Sequence, residues 1–229
     1  MSPKAKRNGE ESSGTREAIL DATARIMRDE GYAAVSSRRV ANAAGLKSQL
    51  VHYHFGTMDD LFLALFQRAE AQHLERHMQA FTSANPVREL WALSIDRTGM
   101  ELIFEFMALA NHRPAIRREL ARASERTRAM QIVMLKRMLQ QLGISSDICP
   151  PNVLSLLIAG LARALVSEAA IGVSSAHADT LAFVERMIQK AERGRLGTRR
   201  QSRSATSRSS RSPTPVSSGA RRAKRTVRR

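Results

Sequence analysis

The stretch from residue 36 to residue 60 constrains the fold of this chain most strongly. It reads as two short helices separated by a tight turn at Gly45, a residue that readily adopts the positive φ such a turn needs. Ser36 is placed to cap the first helix, and Val51 is the inward apolar position of the second. This layout predicts a helix-turn-helix, whose second helix enters the DNA major groove. On spacing alone, an ordinary helix pair of a helical protein is an equally good interpretation.

The residues that follow favour the DNA-binding interpretation. Gly56 ends the second helix, and Thr57 with Asp60 three positions later predicts a capping box at the start of a further helix. The run HYHFGTMDDLFLAL (residues 52–65), preceded by GYAAVSSRRVANAAGLKSQLV (residues 31–51), resembles the tetracycline-repressor-like (TetR) family of bacterial transcription regulators. The resemblance implies a DNA-binding head on a helical body that binds an effector and dimerises.

The resemblance is specific from about Thr15 to Leu65 and concerns only the architecture beyond that range. Carried over residue by residue, it implies a set of DNA contacts around the second helix of the pair. Gln49 is in addition chemically suited to the N6/N7 edge of adenine, whereas Tyr53 and His54 fit a structural role at the helix end equally well. Met58 departs from the family, which usually has a lysine there that meets a phosphate. The implied set is Ser37, Arg38, Lys47, Ser48, Gln49, His52, Tyr53 and His54.

Apolar residues at helical spacing continue through most of the chain. With hydrophobic residues at 43% and aromatic residues at 4%, the sequence predicts an all-α protein. It divides into a flexible N-terminal arm (1–14), a helix-turn-helix DNA-binding domain (15–56), a helical effector-binding and dimerisation domain (57–193) and a disordered Arg/Ser-rich tail (194–229). The tail holds twelve Lys/Arg and no Asp or Glu, which leaves a formal charge of +4 on the rest of the chain out of +16 in total. A segment with so few large apolar side chains cannot offset the entropy of ordering it.

The resemblance also implies a small-molecule pocket between helices four to eight and a homodimer formed through helices eight and nine. In helix nine, Val184 and Ile188 belong to the apolar stripe expected at that interface. The body is rich in methionine, whose side chain adapts to apolar ligands, so we expect a largely hydrophobic effector. A plain hydrophobic core explains the same residues equally well. The candidate ligand-binding set is Trp91, Phe104, Glu105, Met107, Asn111, Met130, Met134 and Met138.

No arrangement of residues predicts catalysis, a metal or a cofactor, because the chain lacks a phosphate-binding glycine loop, a nucleophile elbow and a spaced Cys/His set. His73 and His77 have the i, i+4 spacing of a metal-binding pair, but no third ligand is near in sequence. A solvated helix end is the preferred interpretation, and a helical metal hydrolase is the remaining enzyme hypothesis. Glu101 and Glu105, one helical turn apart, are interpreted as a salt-bridged or exposed pair.

The single cysteine, Cys149, excludes an internal disulfide and fits a reducing cytoplasm. The first fourteen residues are polar and predict no signal peptide, and the apolar run 154–166 contains Arg163 and is too short to span a bilayer. We therefore expect a non-enzymatic, cytoplasmic, nucleoid-associated repressor that binds double-stranded DNA and has no membrane contact. The alternative hypothesis is a sequence-indifferent nucleic-acid-organising protein that acts mainly through its Arg-rich tail.

Overall fold

The computed structural model describes the backbone of residues 3–209 and the side chains of residues 12–193. Over this part of the chain the protein contains nine α-helices, one short 3-10 helix and no strand, as the sequence predicts. The α-helices are α1 (Pro3–Glu30), α2 (Ser37–Ala43), α3 (Ser48–His54), α4 (Met58–Thr82), α5 (Pro86–Ser94), α6 (Arg97–His112), α7 (Pro114–Gln141), α8 (Pro151–Ala170) and α9 (His177–Ser209). The 3-10 helix (Tyr32–Ala34) connects α1 to α2.

The first and last helices extend beyond the predicted bounds of the two domains. α1 begins at Pro3 rather than at Thr15, because the residues between them include the helix formers Lys, Arg, Glu and Ala. α9 continues past Arg193 to Ser209, although the predicted disordered tail begins directly after Arg193. The remainder of that tail, residues 210–229, and residues 1–2 lie outside the described residues.

One hydrophobic core joins the N-terminal helices to the body. Ile19, Leu20 and Met27 of α1 are fully buried, and Leu61 and Leu65 of α4 pack into the same cluster. Side chains of α6 and α7 complete it, namely Phe106, Leu109, Ala110, Ile116 and Ala123. Burying each of the large side chains contributes on the order of 1.5–3 kcal/mol. Because the head and the body share this core, α1 of the head packs directly against α4 and α6 of the body.

α4 and α7 form the axis of the body, and α7 also packs against α6 and α8. Arg113, at the N-cap of α7, pairs with Asp59 in the first turn of α4. Further along, Arg126 of α7 donates two hydrogen bonds of 2.9 Å to the carboxylate of Glu70 on α4. The same guanidinium lies 3.0 Å from Glu119. These pairs show that α4 and α7 run in the same direction away from the head.

Arg88 on α5 joins the C-terminal helix to the body. Its guanidinium donates to both carboxylate oxygens of Glu185 at 2.8 and 2.9 Å and lies 3.2 Å from Glu192. The hydrogen bonds from Arg88 hold the pKa of Glu185 below its usual range. The partners are 97 residues apart in sequence, so a helix-by-helix reading of the chain does not detect them.

α8 is longer than the apolar run considered from the sequence. It has 20 residues, and an 18-residue window of mean hydropathy 1.7 makes it able to cross a bilayer by length and composition alone. In the protomer it packs against α5, α6 and α7. Its outer side remains apolar and uncovered, because Leu156 and Leu157 are 57% and 63% exposed.

Candidate nucleic-acid interface and effector cavity

The turn between α2 and α3 has the predicted geometry. Ser36 Oγ caps α2 by accepting a hydrogen bond from the backbone N–H three residues later. Gly45 has a φ of +68°, and its N–H donates to the Asn42 carbonyl at 3.1 Å. The N–H of Leu46 donates to the Ala41 carbonyl at 2.8 Å. This pair of bonds is a Schellman motif, which ends α2 and turns the chain toward α3.

α3 has an apolar side that packs on the head and a polar side that faces solvent. Val51 is 1% exposed, and Phe55 at the C-cap is 4% exposed. Gln49 and His52 are exposed on the other side, and Tyr53 is 79% exposed. Because α3 is held from beneath by packed side chains, its outer side chains project from a backbone of defined position. A short helix of this kind can enter a major groove and present hydrogen-bonding groups to base edges.

Most of the predicted DNA-contact residues are exposed, namely Arg38, Lys47, Ser48, Gln49, His52 and Tyr53. Ser37 and His54 are partly buried. The rings of Tyr53 and His54 meet edge to face with 5.2 Å between their centroids. This contact supports a structural contribution of His54 at the end of α3.

Residues that sequence reasoning did not select hold α1, α2 and α3 together. Arg25 of α1 donates to the Ala43 carbonyl at the end of α2 at 2.9 Å. Arg39 of α2 pairs with Glu30 of α1. The guanidinium of a further α1 residue, Arg16, lies 4.9 Å above the Phe55 ring. No short sequence motif predicts these contacts, because each contact joins residues of two different helices or a helix and the loop that follows α3.

The start of α4 follows the predicted capping box. Thr57 Oγ1 accepts from the Asp60 N–H at 3.1 Å, and the Asp60 carboxylate accepts from the Thr57 N–H at 2.9 Å. Met58 packs against the head core. The first turn of α4 carries Asp59 and Asp60 and no basic residue, so it offers no cationic side chain to a phosphate.

A cavity of about 690 Å³ lies between α4, α5, α6, α7 and α8. The family resemblance implies a pocket between these helices, but none of the predicted ligand-binding residues lines it. Phe66, Leu102, Ile103 and Phe106 supply part of its apolar surface. The helices around this cavity are those that the family resemblance implies, whereas its lining residues differ from the predicted set, which stays a prediction.

The predicted ligand-binding residues have other environments. Met134 is buried in the body, Met107 is 44% exposed, and Asn111 is exposed. Glu105 accepts the backbone N–H of Tyr32 at 2.7 Å. The others, Trp91, Phe104, Met130 and Met138, are partly buried outside the cavity lining. Helical periodicity identifies the apolar sides of a helix but does not show which of them adjoins empty space.

His73 and His77 line the cavity instead of forming a solvated helix end. This expectation was wrong because α5 packs back onto α4 and leaves His77 only 2% exposed. His77 Nδ1 lies 3.0 Å from the His73 carbonyl, and since a carbonyl only accepts, Nδ1 carries the proton and Nε2 of the neutral ring is an acceptor. No group of three potential metal ligands occurs among the described residues.

Burial is the main cause of the unusual protonation of these two histidines. Burial, together with the neighbouring His77 and Arg76, lowers the pKa of His73 to about 4, and Asp96 opposes part of this shift. Burial also lowers the pKa of His77. The ring centroids are 4.1 Å apart. Both rings are therefore neutral at pH 7 and contribute hydrogen-bonding edges, not positive charge, to the cavity wall.

α6 connects the cavity to the head. Glu101 pairs with Arg97 at 2.7 Å, which confirms the salt-bridged interpretation for the first of the two glutamates. Glu105 is partly buried, and its hydrogen bond to Tyr32 joins α6 to the segment between α1 and α2. Phe106, the next residue of α6, lines the cavity.

The family model and the sequence relatives that this chain matches all describe bacterial regulatory proteins. Residues 19–65 match the family model of bacterial regulatory proteins of the tetR family. The chain is similar to the HTH-type transcriptional regulator CymR of Pseudomonas putida, with 26% identity over 154 residues that cover 64% of this chain and 76% of that protein. It is also similar to the HTH-type transcriptional regulator AcrR of Shigella flexneri, with 30% identity over 88 residues that cover 38% of this chain and 41% of that protein.

Solved structures share the fold. A TetR transcription regulator from Haloarcula marismortui superposes with a TM-score of 0.60 at 18% identity and covers 81% of this chain and 96% of its own. A protein from Saccharomonospora viridis, assigned as a transcriptional regulator and solved in complex with choline, has a TM-score of 0.64 at 21% identity. That comparison covers 78% of this chain and 94% of the other.

Proposed function

The chain belongs to the TetR family of bacterial DNA-binding transcriptional regulators. From this premise we propose that it is a repressor that binds a pseudo-palindromic operator as a homodimer. Binding of a small molecule releases the repressor from the operator. The observation that carries this proposal is α3, a helix backed by buried Val51 and Phe55 with exposed Gln49 and His52 on its outer side. The head (15–56) reads the operator, and the body (57–193) binds the effector and dimerises. The relatives matched by sequence are transcriptional regulators, and we assign no enzymatic activity.

The uncovered apolar side chains of α8 and α9 support the dimer. Leu156 and Leu157 on α8, and Leu181, Phe183 and Met187 on α9, are between 41% and 63% exposed. α8 and α9 follow each other in the chain, and apolar side chains exposed on both helices are expected at an interaction site. A two-fold axis through it sets two copies of α3 about one duplex turn, ~34–36 Å, or a multiple of it apart.

The exposed apolar side of α8 could contact either a lipid bilayer or a second copy of the chain, and we favour the second copy. α8 contains Arg163 and Glu168, and its other side packs on three helices of the same protomer. A charged side chain near the centre of a spanning helix is costly in a bilayer. We therefore place the protein in the cytoplasm, and we expect the purified chain to be a dimer in buffer without detergent.

The cavity supports control by a small molecule. Its volume of about 690 Å³ lies within the range of ligand pockets. α4 lines it with Phe66 and His73 and is also the helix whose Leu61 and Leu65 pack in the core shared with the head. A ligand that displaces α4 or α6 therefore alters the position of α3 in each protomer, and with it the spacing of the two recognition helices.

Selection of random double-stranded oligonucleotides by the purified full-length protein tests the proposal. We expect a motif with two inverted half-sites. The control is Gln49→Ala/His52→Ala, which removes two outward groups and leaves Val51 in place. Enrichment of a palindrome by the wild type and its loss in the variant are expected. Recovery of oligonucleotides without a common motif would instead favour the sequence-indifferent nucleic-acid-organising protein.

A further inference from the structure

The acidic side chains of the cavity wall are largely neutralised within the protein. Asp96 accepts from Arg76 at 2.9 Å. Glu70 receives two hydrogen bonds of 2.9 Å from Arg126. Glu75 is exposed and accepts only a side-chain amide hydrogen bond. Two of the three carboxylates of the wall are therefore paired with arginines, and Glu75 keeps its negative charge.

Three basic side chains of the same wall have no such partners. Arg28 of α1, Arg128 of α7 and Arg163 of α8 line the cavity, and none makes an ion pair or hydrogen bond with another described residue. Arg128 is partly buried, whereas Arg28 and Arg163 are exposed at the edge of the cavity. Arg163 is the one basic residue of α8, a helix that is otherwise mostly apolar. The wall therefore carries a surplus of positive charge on flexible guanidinium groups.

The neutral polar groups of the wall add hydrogen-bond donors next to these arginines. Gln131 lies one turn after Arg128 on α7, and its Oε1 accepts from Ser155 Oγ at 2.9 Å. Because the amide oxygen is occupied, the amide NH₂ group of Gln131 remains as a donor. The neutral rings of His73 and His77 do not add charge of either sign.

We propose that the cavity binds an amphiphilic organic anion, whose carboxylate or sulfonate meets Arg128 and Arg163 and whose apolar body lies against Phe66 and Phe106. This inference rests on the proposed control by an effector and names the class of that effector. A guanidinium donates two parallel N–H bonds to such a group, which gives both affinity and orientation. The proposed amphiphilic anion replaces the largely hydrophobic effector that we expected from the methionine-rich body.

A cationic ligand fits the wall less well. Choline, which the Saccharomonospora viridis protein holds, is a quaternary ammonium, and such a group is recognised by faces of Trp, Tyr or Phe rings. Here the wall has the two phenyl rings of Phe66 and Phe106. Glu70 and Asp96 are already paired, and the one remaining carboxylate, Glu75, is outnumbered by three unpaired arginines. The three unpartnered arginines would repel a cation.

Calorimetric titration of the full-length, DNA-free protein tests the proposal with probes that share one skeleton. The probes are 4-phenylbutyrate, 4-phenylbutan-1-ol and 4-phenylbutyltrimethylammonium, with octanoate and 2-naphthalenesulfonate as further anions. We expect the anions to bind, and Arg128→Gln or Arg163→Gln to weaken that binding by about tenfold or more, as for the removal of a charged hydrogen bond. Arg137→Gln, at an exposed position of α7 outside the cavity lining, is the matched control. Equal or tighter binding of the alcohol or the ammonium overturns the proposal.

The thermal midpoint of the ligand-free protein is a second measurement that needs no ligand. Removing one of several unpaired like charges reduces repulsion, so Arg128→Gln and Arg163→Gln should raise the midpoint relative to Arg137→Gln. If no anion binds and neither variant raises the midpoint, the cavity is not an anion site and the proposal fails. If no anion binds although both variants raise the midpoint, the wall carries repelling charges but does not bind an amphiphilic anion, and the proposal fails. Operator selection uses no ligand. Failure of the anion proposal would therefore not count against the proposed DNA-binding function, which the selection experiment tests separately.

Discussion

Gln49 and Val51 lie two positions apart on α3 and have opposite environments. Val51 is buried in the head, whereas Gln49 is exposed on the outer side of the helix. Val51 determines the position of the helix, and Gln49 is available to contact a base edge. The placement of the helix and the reading of bases are therefore separable by mutation at these two positions.

Gln49→Ala should weaken operator binding by about 1–3 kcal/mol and relax the preference at one base position per half-site, because the variant cannot make a bidentate hydrogen bond to adenine. Binding to random DNA should barely change, since phosphate contacts supply it. Fluorescence anisotropy on operator and scrambled duplexes measures both affinities. Gln140→Ala, an exposed glutamine of α7, is the control. Equal losses of affinity on both duplexes would place Gln49 on the phosphate backbone or in a structural role.

His73 should make the stability of the body depend on pH. Folding lowers its pKa from the ordinary 6.5 to about 4, so between these values the unfolded chain binds protons that the folded protein does not. The free energy of unfolding therefore falls as pH decreases from 6.5 toward 4. Carboxylates such as Glu185 lose their contribution below the window between pH 6.5 and 5, since the ordinary pKa of 4.5 applies to the unfolded chain and folding lowers the pKa of Glu185 from that value.

His73→Gln removes the contribution of this ring and should reduce the pH dependence of urea unfolding between pH 6.5 and 5, while His77, whose pKa burial also lowers, keeps part of it. His52→Gln changes an exposed histidine of the head and should leave the dependence as in the wild type. An identical slope in wild type and His73→Gln would show that burial of this ring does not control the protonation of the folded state.

Among the elements, α9 shows most clearly what a hydrophobic stripe does and does not predict. The sequence identifies the stripe, but the structure buries Ile188 within the protomer at 4% exposure and leaves Phe183 53% exposed. Val184, the other expected interface residue, is partly buried. One apolar side of α9 is covered by the same chain and the other is exposed, and periodicity does not say which side is which.

We therefore predict the dimer interface at exposed residues such as Leu157 and Phe183 instead of at Val184 and Ile188. Leu157→Glu together with Phe183→Glu should convert the dimer to monomers, because two charges per protomer would be buried at the interface. Sedimentation velocity in detergent-free buffer measures the mass. Met78→Glu, at a 52% exposed position of α4, is the control for an added surface charge. A double variant that still sediments as a dimer would exclude this surface as the interface.

The same distinction explains how far the sequence predicts the fold. Local signals were sufficient for the turn at Gly45, the capping box at Thr57 and the start of α8 at Pro151, since capping and proline effects act within a few residues. The cavity lining depends on contacts between helices far apart in the chain. The pair of Ser155 with Gln131 is one example. Arg163 was visible as a basic residue in an apolar run, and that signal could have indicated a site.

At the scale of the whole molecule, the distribution of charge separates the folded part from the C-terminal segment. Residues 194–229 carry twelve of the 37 Lys/Arg and no acidic residue. The helix α9, which contains the first part of this segment, has 33 residues and is about 50 Å long at 1.5 Å per residue. A dimer brings two such segments, and their cations can neutralise phosphates without reading bases. A segment held away from DNA that only keeps the protein soluble is the competing explanation.

Truncation after Arg193 should weaken binding to operator and to random DNA by similar factors at low salt, and the selected motif should stay the same. The slope of log affinity against log salt concentration should fall by about 0.9 for each phosphate that the truncated protein no longer neutralises. A full-length variant with the twelve Lys/Arg of this segment replaced by Gln separates charge from length and should behave like the truncation. Binding at several salt concentrations measures the slopes. A salt slope that is unchanged in both proteins would exclude a phosphate-binding role and leave solubility as the function of the segment.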